Sequence, residues 1–395
     1  MPLFYRFIAD FFWNYKGLSI AVNLYCLYCL FKCLFVGKLK TLPKSSSLIL
    51  IIFFFVVLNS FLIKTDDQST KIFLKITFSC FMFFIGVYDR GFFKDSKRIS
   101  LLCLCFIFIE LLLSLNSTGY QFWGDTKTFS GYFFFKTDFA LAVVISLSYI
   151  LYFFQYRKRI QYCFILISVY LVYIANSRIH LVSAFLIIAV YFSRRVLLKK
   201  SQQYILIWIP VILCVFYIIN IIVSQLNTSN NYLTIDFNNF FTAGNLQGRD
   251  QIWTVLLKKF SVADEIGKFF GLGLSADIQI NNKFAEDNNS NNAHNNYLYI
   301  LISLGYLGSV LFLLFSLLSI IRFVKLSKIY REDKKRSILL LMFITNTIIF
   351  FTSSFSTATL IFQQHTWFYL YSVGILYNSY YFDDNKNPRK LEDLL

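Results

Sequence analysis

The chain has 395 residues, 57% of them hydrophobic and only 15% charged, and its mean hydropathy is +0.58. Soluble proteins carry about 25% charged residues, so this composition excludes a soluble globule and fixes a polytopic membrane protein whose main partner is the lipid bilayer. The formal charge of +17 would point to nucleic acid only as a basic patch on a soluble surface. Here the basic residues fall in short clusters between apolar runs, so no nucleic-acid partner is expected.

Taken in order, the spanning runs cover 18–37, 48–63, 72–88, 99–115, 137–154, 160–175, 179–193, 204–226, 295–321, 338–352 and 361–382. Residues 2–15 are apolar but contain Arg6 and Asp10, and fit either a further span or a helix in the interface. The expected fold class is an all-α polytopic membrane protein of about 11–12 transmembrane helices with one large extracytoplasmic loop. It divides into a bundle over 1–226, a loop with short helices over 227–293, C-terminal helices over 294–382 and a tail over 383–395.

Lysine and arginine set the orientation. Alternate connections hold Lys38, Lys40 and Lys44, then Arg90, Lys94, Lys97 and Arg98, then Arg157 to Arg159, then Arg194 to Lys200, then the run from Arg322 to Arg336, and finally the tail. These outnumber the cations of the opposite set, most of which are scattered or lie in the long loop, where charge carries little weight. The rule assigns the first set and the C-terminus to the cytoplasm and the 227–293 loop to the extracytoplasmic side.

All eight cysteines lie inside apolar runs. Thiols at lipid depth act as small packing residues, so neither a disulfide nor a metal site is expected. No small-residue cleavage site follows a short apolar core, so no cleavable signal peptide is expected either.

Chemistry concentrates around the run from Asn288 to Gly308, where an Asn-rich segment ends at His294 and an apolar run begins. At the N-terminus of a helix the backbone dipole disfavours an imidazolium, and a neutral imidazole can accept a proton from a hydroxyl. The plainer reading is a polar helix-entry residue beside Asn292 and Asn295. Arg249 opens the pattern DQIWTVLLKKF, which puts Ile252, Leu256 and Phe260 on one helical face. A guanidinium beside a helix N-terminus makes a phosphate site; the alternative is a solvated arginine or one paired with Asp250 or Asp264. Arg178 sits in the tight turn of the hairpin 160–193, at or just below the outer surface, as an anion ligand or a headgroup-seeking arginine. Glu110 is an acid inside an apolar run, functional or paired with a nearby cation. The charge-free connection Thr352 to Thr366 carries many hydroxyls and His365, and could line a sugar path. Asp66-Asp67 is too isolated for a metal site. Neither a phosphate-binding Gly-rich loop followed by Lys nor a Gly-x-Ser-x-Gly elbow occurs.

In combination these strings resemble the O-antigen polymerase and O-antigen ligase (Wzy/WaaL) superfamily over about residues 160–380. They are Ser177-Arg178 at a short turn, Gly248-Arg249 with Trp253, the turn Phe270-Gly271-Leu272-Gly273, and His294-Asn295 with Leu298, Gly305 and Gly308. Ile179-His180 departs from the small residue that often follows the Ser-Arg string. The resemblance implies a GT-C-like membrane glycosyltransferase without a metal or cofactor, acting on a glycan carried by undecaprenyl pyrophosphate. Arg178 and Arg249 would hold the pyrophosphate, with Asn295 and Glu110 as further substrate contacts, and His294 would activate or orient the acceptor hydroxyl. A polymerase, which adds the chain to a lipid-linked repeat and can work with a chain-length regulator, is favoured over a ligase acting on lipid A core. A glycolipid flippase is the reading from another class.

Overall fold

The computed structural model describes residues 2–12, 15–36, 44–123, 126–154, 158–199, 249–282, 293–330 and 332–382. The expected run 204–226 lies outside the described residues. The remainder is helical apart from a two-stranded hairpin. In chain order the helices are α1 (Pro2–Phe11), α2 (Lys16–Val36), α3 (Lys44–Ile63), α4 (Asp67–Tyr88) and α5 (Phe92–Leu115), then strands β1 (Tyr120–Trp123) and β2 (Thr126–Phe129). They continue with α6 (Lys136–Phe153), α7 (Lys158–Ile174), α8 (Arg178–Lys199), α9 (Arg249–Ser261), α10 (Glu265–Phe270), α11 (Ala276–Asn282), α12 (Asn296–Tyr330), α13 (Lys334–Ser353), α14 (Gln363–Leu376) and α15 (Ser379–Phe382).

Six of these, α3, α4, α5, α6, α12 and α13, are long and apolar enough to cross a membrane. The protein is an all-α polytopic membrane protein. Leu74, Leu101, Phe108, Leu313 and Leu317 stay exposed on the outward helix faces, as lipid-facing surfaces do. The middle of the bundle is α4 packed on α14. No side chain separates the two, because a Cβ on Gly86 would lie 2.4 Å from the Tyr371 carbonyl oxygen and one on Gly374 would lie 2.1 Å from that of Phe83. Small residues at such a crossing let backbones approach in lipid.

Of the two readings left open for the N-terminal run, the further span falls, since the ten residues of α1 rise only about 15 Å. Instead α1 docks through buried Arg6, whose guanidinium donates to Ser19 Oγ and Gln363 Oε1, both at 2.9 Å. The run 361–382 is not one helix but a 3-10 turn at Thr359–Ile361, the 14-residue α14 and the short α15. The connection 116–135, to which the sequence assigns no element, carries the β1–β2 hairpin, whose buried Phe129 meets Phe139 edge to face at 5.0 Å between centroids.

The largest revision is α12. At 35 residues a straight helix would run about 52 Å, well beyond a hydrocarbon core of about 30 Å. It is two helices, broken at Gly305, where φ is 68° and ψ −167°. The break is the landing place of the Phe270–Gly273 turn. Leu272 N–H donates to the Ile302 carbonyl at 2.9 Å. A Cβ on Gly271 would fall 2.2 Å from Ser303 O, and one on Gly305 would fall 2.4 Å from Phe269 O. Two glycines with positive φ thus seat backbone on backbone.

One end of the bundle, hereafter the loop end, gathers the α3–α4 turn, the hairpin, α9 to α11, the start of α8 and the 354–362 segment. Asp66 ties it together. Its side chain caps α4 at Ser69 N–H (2.6 Å) and accepts from Ser275 Oγ (3.0 Å) and Gln279 Nε2 (2.6 Å). The residue set aside as an isolated acid is therefore an anchor for α11.

Candidate functional site

Ala293 to Asn296 form the entry to the first half of α12. Asn295 is the helix cap, its Oδ1 accepting from Tyr297 N–H at 3.0 Å and Leu298 N–H at 3.1 Å. That oxygen is committed to the helix, so a substrate contact from Asn295 falls to its Nδ2. His294 stands one residue before the cap, half-buried, with φ of 46°. It does not sit at the mouth of a long span as expected, but ahead of a half-helix, 296–304, that ends at the Gly305 break.

A left-handed backbone is unusual for histidine, and the neighbouring residue explains what holds it. Ala293 is fully buried, its N–H donating to Asp277 Oδ2 at 2.9 Å and its carbonyl accepting from Trp253 Nε1 at 2.8 Å. Asp277 is itself fully buried on α11, and its Oδ1 has no partner among the described residues. Burial pushes its carboxyl up to about 6, against hydrogen bonds from backbone N–H groups including that of Ala293.

Arg178 is the first residue of α8. The preceding turn is closed by Asn176 in the left-handed region at φ of 51°. Its guanidinium is partly exposed and makes no ion pair or hydrogen bond with a described residue. A cation in that position without a carboxylate has room for an anionic partner. Two residues on, His180 is buried, with Nδ1 2.8 Å from Ser177 Oγ and Nε2 3.5 Å from Ser353 Oγ.

The segment after α13 bridges the two regions. On one side Ser183 Oγ lies 2.6 Å from Thr352 Oγ1, beside the Ser353 contact to His180. On the other, Asn296 N–H donates to Ser354 O and Leu360 N–H donates to Asn296 Oδ1, both at 2.8 Å. The elements that carry Arg178 and His294 therefore meet on residues 352–360. His365 belongs to the same wall. It is buried, its ring centroid lies 6.1 Å from that of His180, and neither of its nitrogens has a partner among the described residues.

Arg249 opens α9 as the helical pattern predicts, with Leu256 and Phe260 buried. Its side chain, and all of 200–248, lie outside the described residues. Glu110 is placed elsewhere at the loop end. It is fully buried beneath the hairpin, beside the Tyr132 N–H and against Gly131, where a Cβ would fall 2.1 Å from Oε2. Among the described residues no hydrogen bond or ion pair joins it to Arg178, to His294 or to their immediate neighbours. No group of three or more His, Cys, Asp or Glu converges among the described residues.

Asp277 carries no signal in the sequence, being a single polar residue in an ordinary context, whereas Ser353 and Ser354 belong to the hydroxyl-rich connection singled out above. His180 was visible only as the residue that departs from the expected small side chain.

Residues 138–313 match a family model described as Wzy_C, O-antigen ligase. The match opens two residues into α6, takes in Arg178, Arg249 and His294, and ends beyond the Gly305 break in α12. The 352–366 connection lies outside it. No curated protein matches the chain.

Proposed function

We propose that the chain, whose residues 138–313 match the Wzy_C O-antigen ligase model, is a polymerase of the Wzy/WaaL superfamily that transfers a growing glycan from undecaprenyl pyrophosphate to a lipid-linked repeat unit. The acceptor hydroxyl oxygen attacks the anomeric carbon of the donor. The bond from that carbon to the pyrophosphate oxygen breaks, and the lipid pyrophosphate leaves with the electron pair. His294 takes the hydroxyl proton, or orients the hydroxyl, from the entry to α12. Arg178 and Arg249 hold the leaving diphosphate, and fixed cations aimed at developing charge are worth several kcal/mol of barrier. Asn295 Nδ2 is a secondary contact. Glu110 is a substrate contact only if the glycan reaches under the hairpin.

The observation that carries this reading is Arg178, a guanidinium without a carboxylate, on an element joined to the His294 segment through 352–360. The orientation is part of the proposal, with the loop end periplasmic. Its support is that Arg90, Lys94, Lys97, Arg98, Arg322 and Lys334 to Arg336 fall at the opposite end.

Deletion of the gene, read out on a polysaccharide gel, tests the reading. Polymerase activity predicts surface glycan reduced to a single repeat. Full polymer retained on its lipid carrier means a ligase instead, and unflipped precursor means a transporter.

A further inference from the structure

We propose that Asp277 and Trp253 are positioning residues that clamp Ala293 from its N–H and its carbonyl and thereby aim the His294 imidazole. The inference rests on His294 doing chemistry, as proposed above.

Three observations converge on it. First, one residue is gripped on both sides of its Cα: Ala293 donates its N–H to Asp277 at 2.9 Å and accepts through its carbonyl, which is part of the 293–294 peptide, from Trp253 at 2.8 Å. The next residue is His294, whose φ of 46° is a conformation that needs outside support. Second, the grip is grounded in the bundle. Ser275, which directly precedes α11, bonds Asp66 and also meets Ser69 Oγ at 2.9 Å, and Gln279 on α11 bonds Asp66 as well. Tyr299 from the first half of α12 donates to Leu274 O at 3.2 Å, closing the circuit on the other side. Third, a merely structural acid is a poor choice here. A fully buried carboxylate with one oxygen unpartnered is costly to keep. A carboxylate is also the acceptor that fixes an N–H most firmly.

The chain of contacts runs from α4, through Asp66, to α11, to Ala293 and so to His294. The Trp253 contact brings in α9, the helix opened by Arg249. A displacement of α9 or α11 thus reaches the imidazole through a single residue, Ala293. Misplacing a catalytic group by about 1 Å can cost on the order of 100-fold in rate.

The test uses the full-length protein in nanodiscs and reads two quantities. One is the rate of diethyl pyrocarbonate modification at His294, resolved by peptide mass spectrometry with buried His180 and His365 as internal controls. The other is glycan transfer, split into turnover and KM for the lipid-linked donor. Trp253→Phe keeps an aromatic ring while removing the Nε1 donor together with the five-membered ring that carries it. Asp277→Ala removes the acceptor, and Asp277→Asn keeps an acceptor oxygen. The expected result is a changed His294 modification rate in Trp253→Phe and Asp277→Ala, turnover down about tenfold or more with KM unchanged, and recovery in Asp277→Asn. Unchanged His294 reactivity in both Trp253→Phe and Asp277→Ala overturns the proposal, whatever the activity. If His294→Ala retains transfer, the functional reading fails, while the modification rates still decide the positioning claim.

Discussion

The two ends of this bundle treat buried polarity in opposite ways. At the end opposite the loops, polar groups are spent on closing the structure. Asp89 accepts from Gly91 N–H at 2.6 Å and from the Tyr371 hydroxyl. Asn378 donates to the carbonyls of Gly86 (3.0 Å) and Asp89 (2.6 Å) and accepts from Tyr380 N–H at 2.9 Å. Arg336 donates to Tyr381 O at 2.7 Å and lies over the Tyr330 ring. At the loop end, both nitrogens of His365, Asp277 Oδ1 and Asn296 Nδ2 are buried without partners among the described residues, and Arg178 has no counter-charge there. Each unmade buried hydrogen bond costs about 1–3 kcal/mol. The opposite end also buries unpartnered hydroxyls, Ser47 Oγ and Ser96 Oγ among them, so what sets the loop end apart is that its unpartnered groups include an imidazole, a carboxylate oxygen and an amide.

The comparison breaks if arginines at the two ends behave alike. Arg178→Ala and His294→Ala should lower glycan transfer about 100- to 1,000-fold, the loss expected when one preorganised charge or acid–base group is removed. Their thermal unfolding should stay unchanged. Arg336→Ala should do the reverse, keeping transfer per folded molecule while losing about 1.5–3 kcal/mol of stability with its charged hydrogen bond. Transfer assays on membranes, paired with unfolding of the purified variants, check both halves.

A second contrast is between glycines. Gly271→Ala puts a Cβ 2.2 Å from Ser303 O at a φ of 93°, so it should push the Phe270–Gly273 turn off the α12 break at a cost of about 1–3 kcal/mol. Faster proteolysis within 249–282 would report the loosened cap. Gly91→Ala at the opposite end meets nothing closer than 3.5 Å at a negative φ, so stability should move by less than about 0.5 kcal/mol. Equal effects would mean the cap does not depend on the break.

How much of this was legible follows the same division. The spans α3, α4, α5, α6 and α13 stand out because lipid leaves a long apolar run no other use. The α9 helix was legible too, since Leu256 and Phe260 repeat at helical spacing. The break in α12 was not. Gly305 and Gly308 look equivalent in sequence, and only the approach of Phe269 O and Gly271 distinguishes the one that must take a positive φ. Arg178 and His294 were readable as polar residues at apolar boundaries. The clamp beside His294 was not, because Asp277 binds a main-chain N–H sixteen residues away, and a backbone partner leaves no trace in side-chain identity. Glu110 was legible as an acid inside an apolar run, yet its neighbour is Gly131 in the turn that follows β2, a pairing that no periodicity encodes.

The smallest expected effect sharpens the comparison through pH. Asp277 is fully buried and Asp89 half-buried, and Asp89 has a donor on each oxygen where Asp277 has one on Oδ2 alone. Burial raises the Asp277 carboxyl to about 6, with Tyr299 of α12 as the facing titratable group and no described cation paired to it. A folded-state value above the ordinary carboxylate range means that the folded protein holds this proton more tightly than the unfolded chain. The stabilisation is therefore complete below the unfolded value near 4 and is lost as pH rises through about 6. Above that the fold carries a buried charge that the Ala293 N–H only partly offsets. Asp277→Asn removes the titration while keeping an acceptor for Ala293. Unfolding temperatures measured between pH 4 and pH 7 should fall in the wild type relative to this variant, by a few degrees, and level off above about pH 6. Parallel curves for the two proteins would show that Asp277 reaches water, and would remove it from the set of groups that make the loop end different.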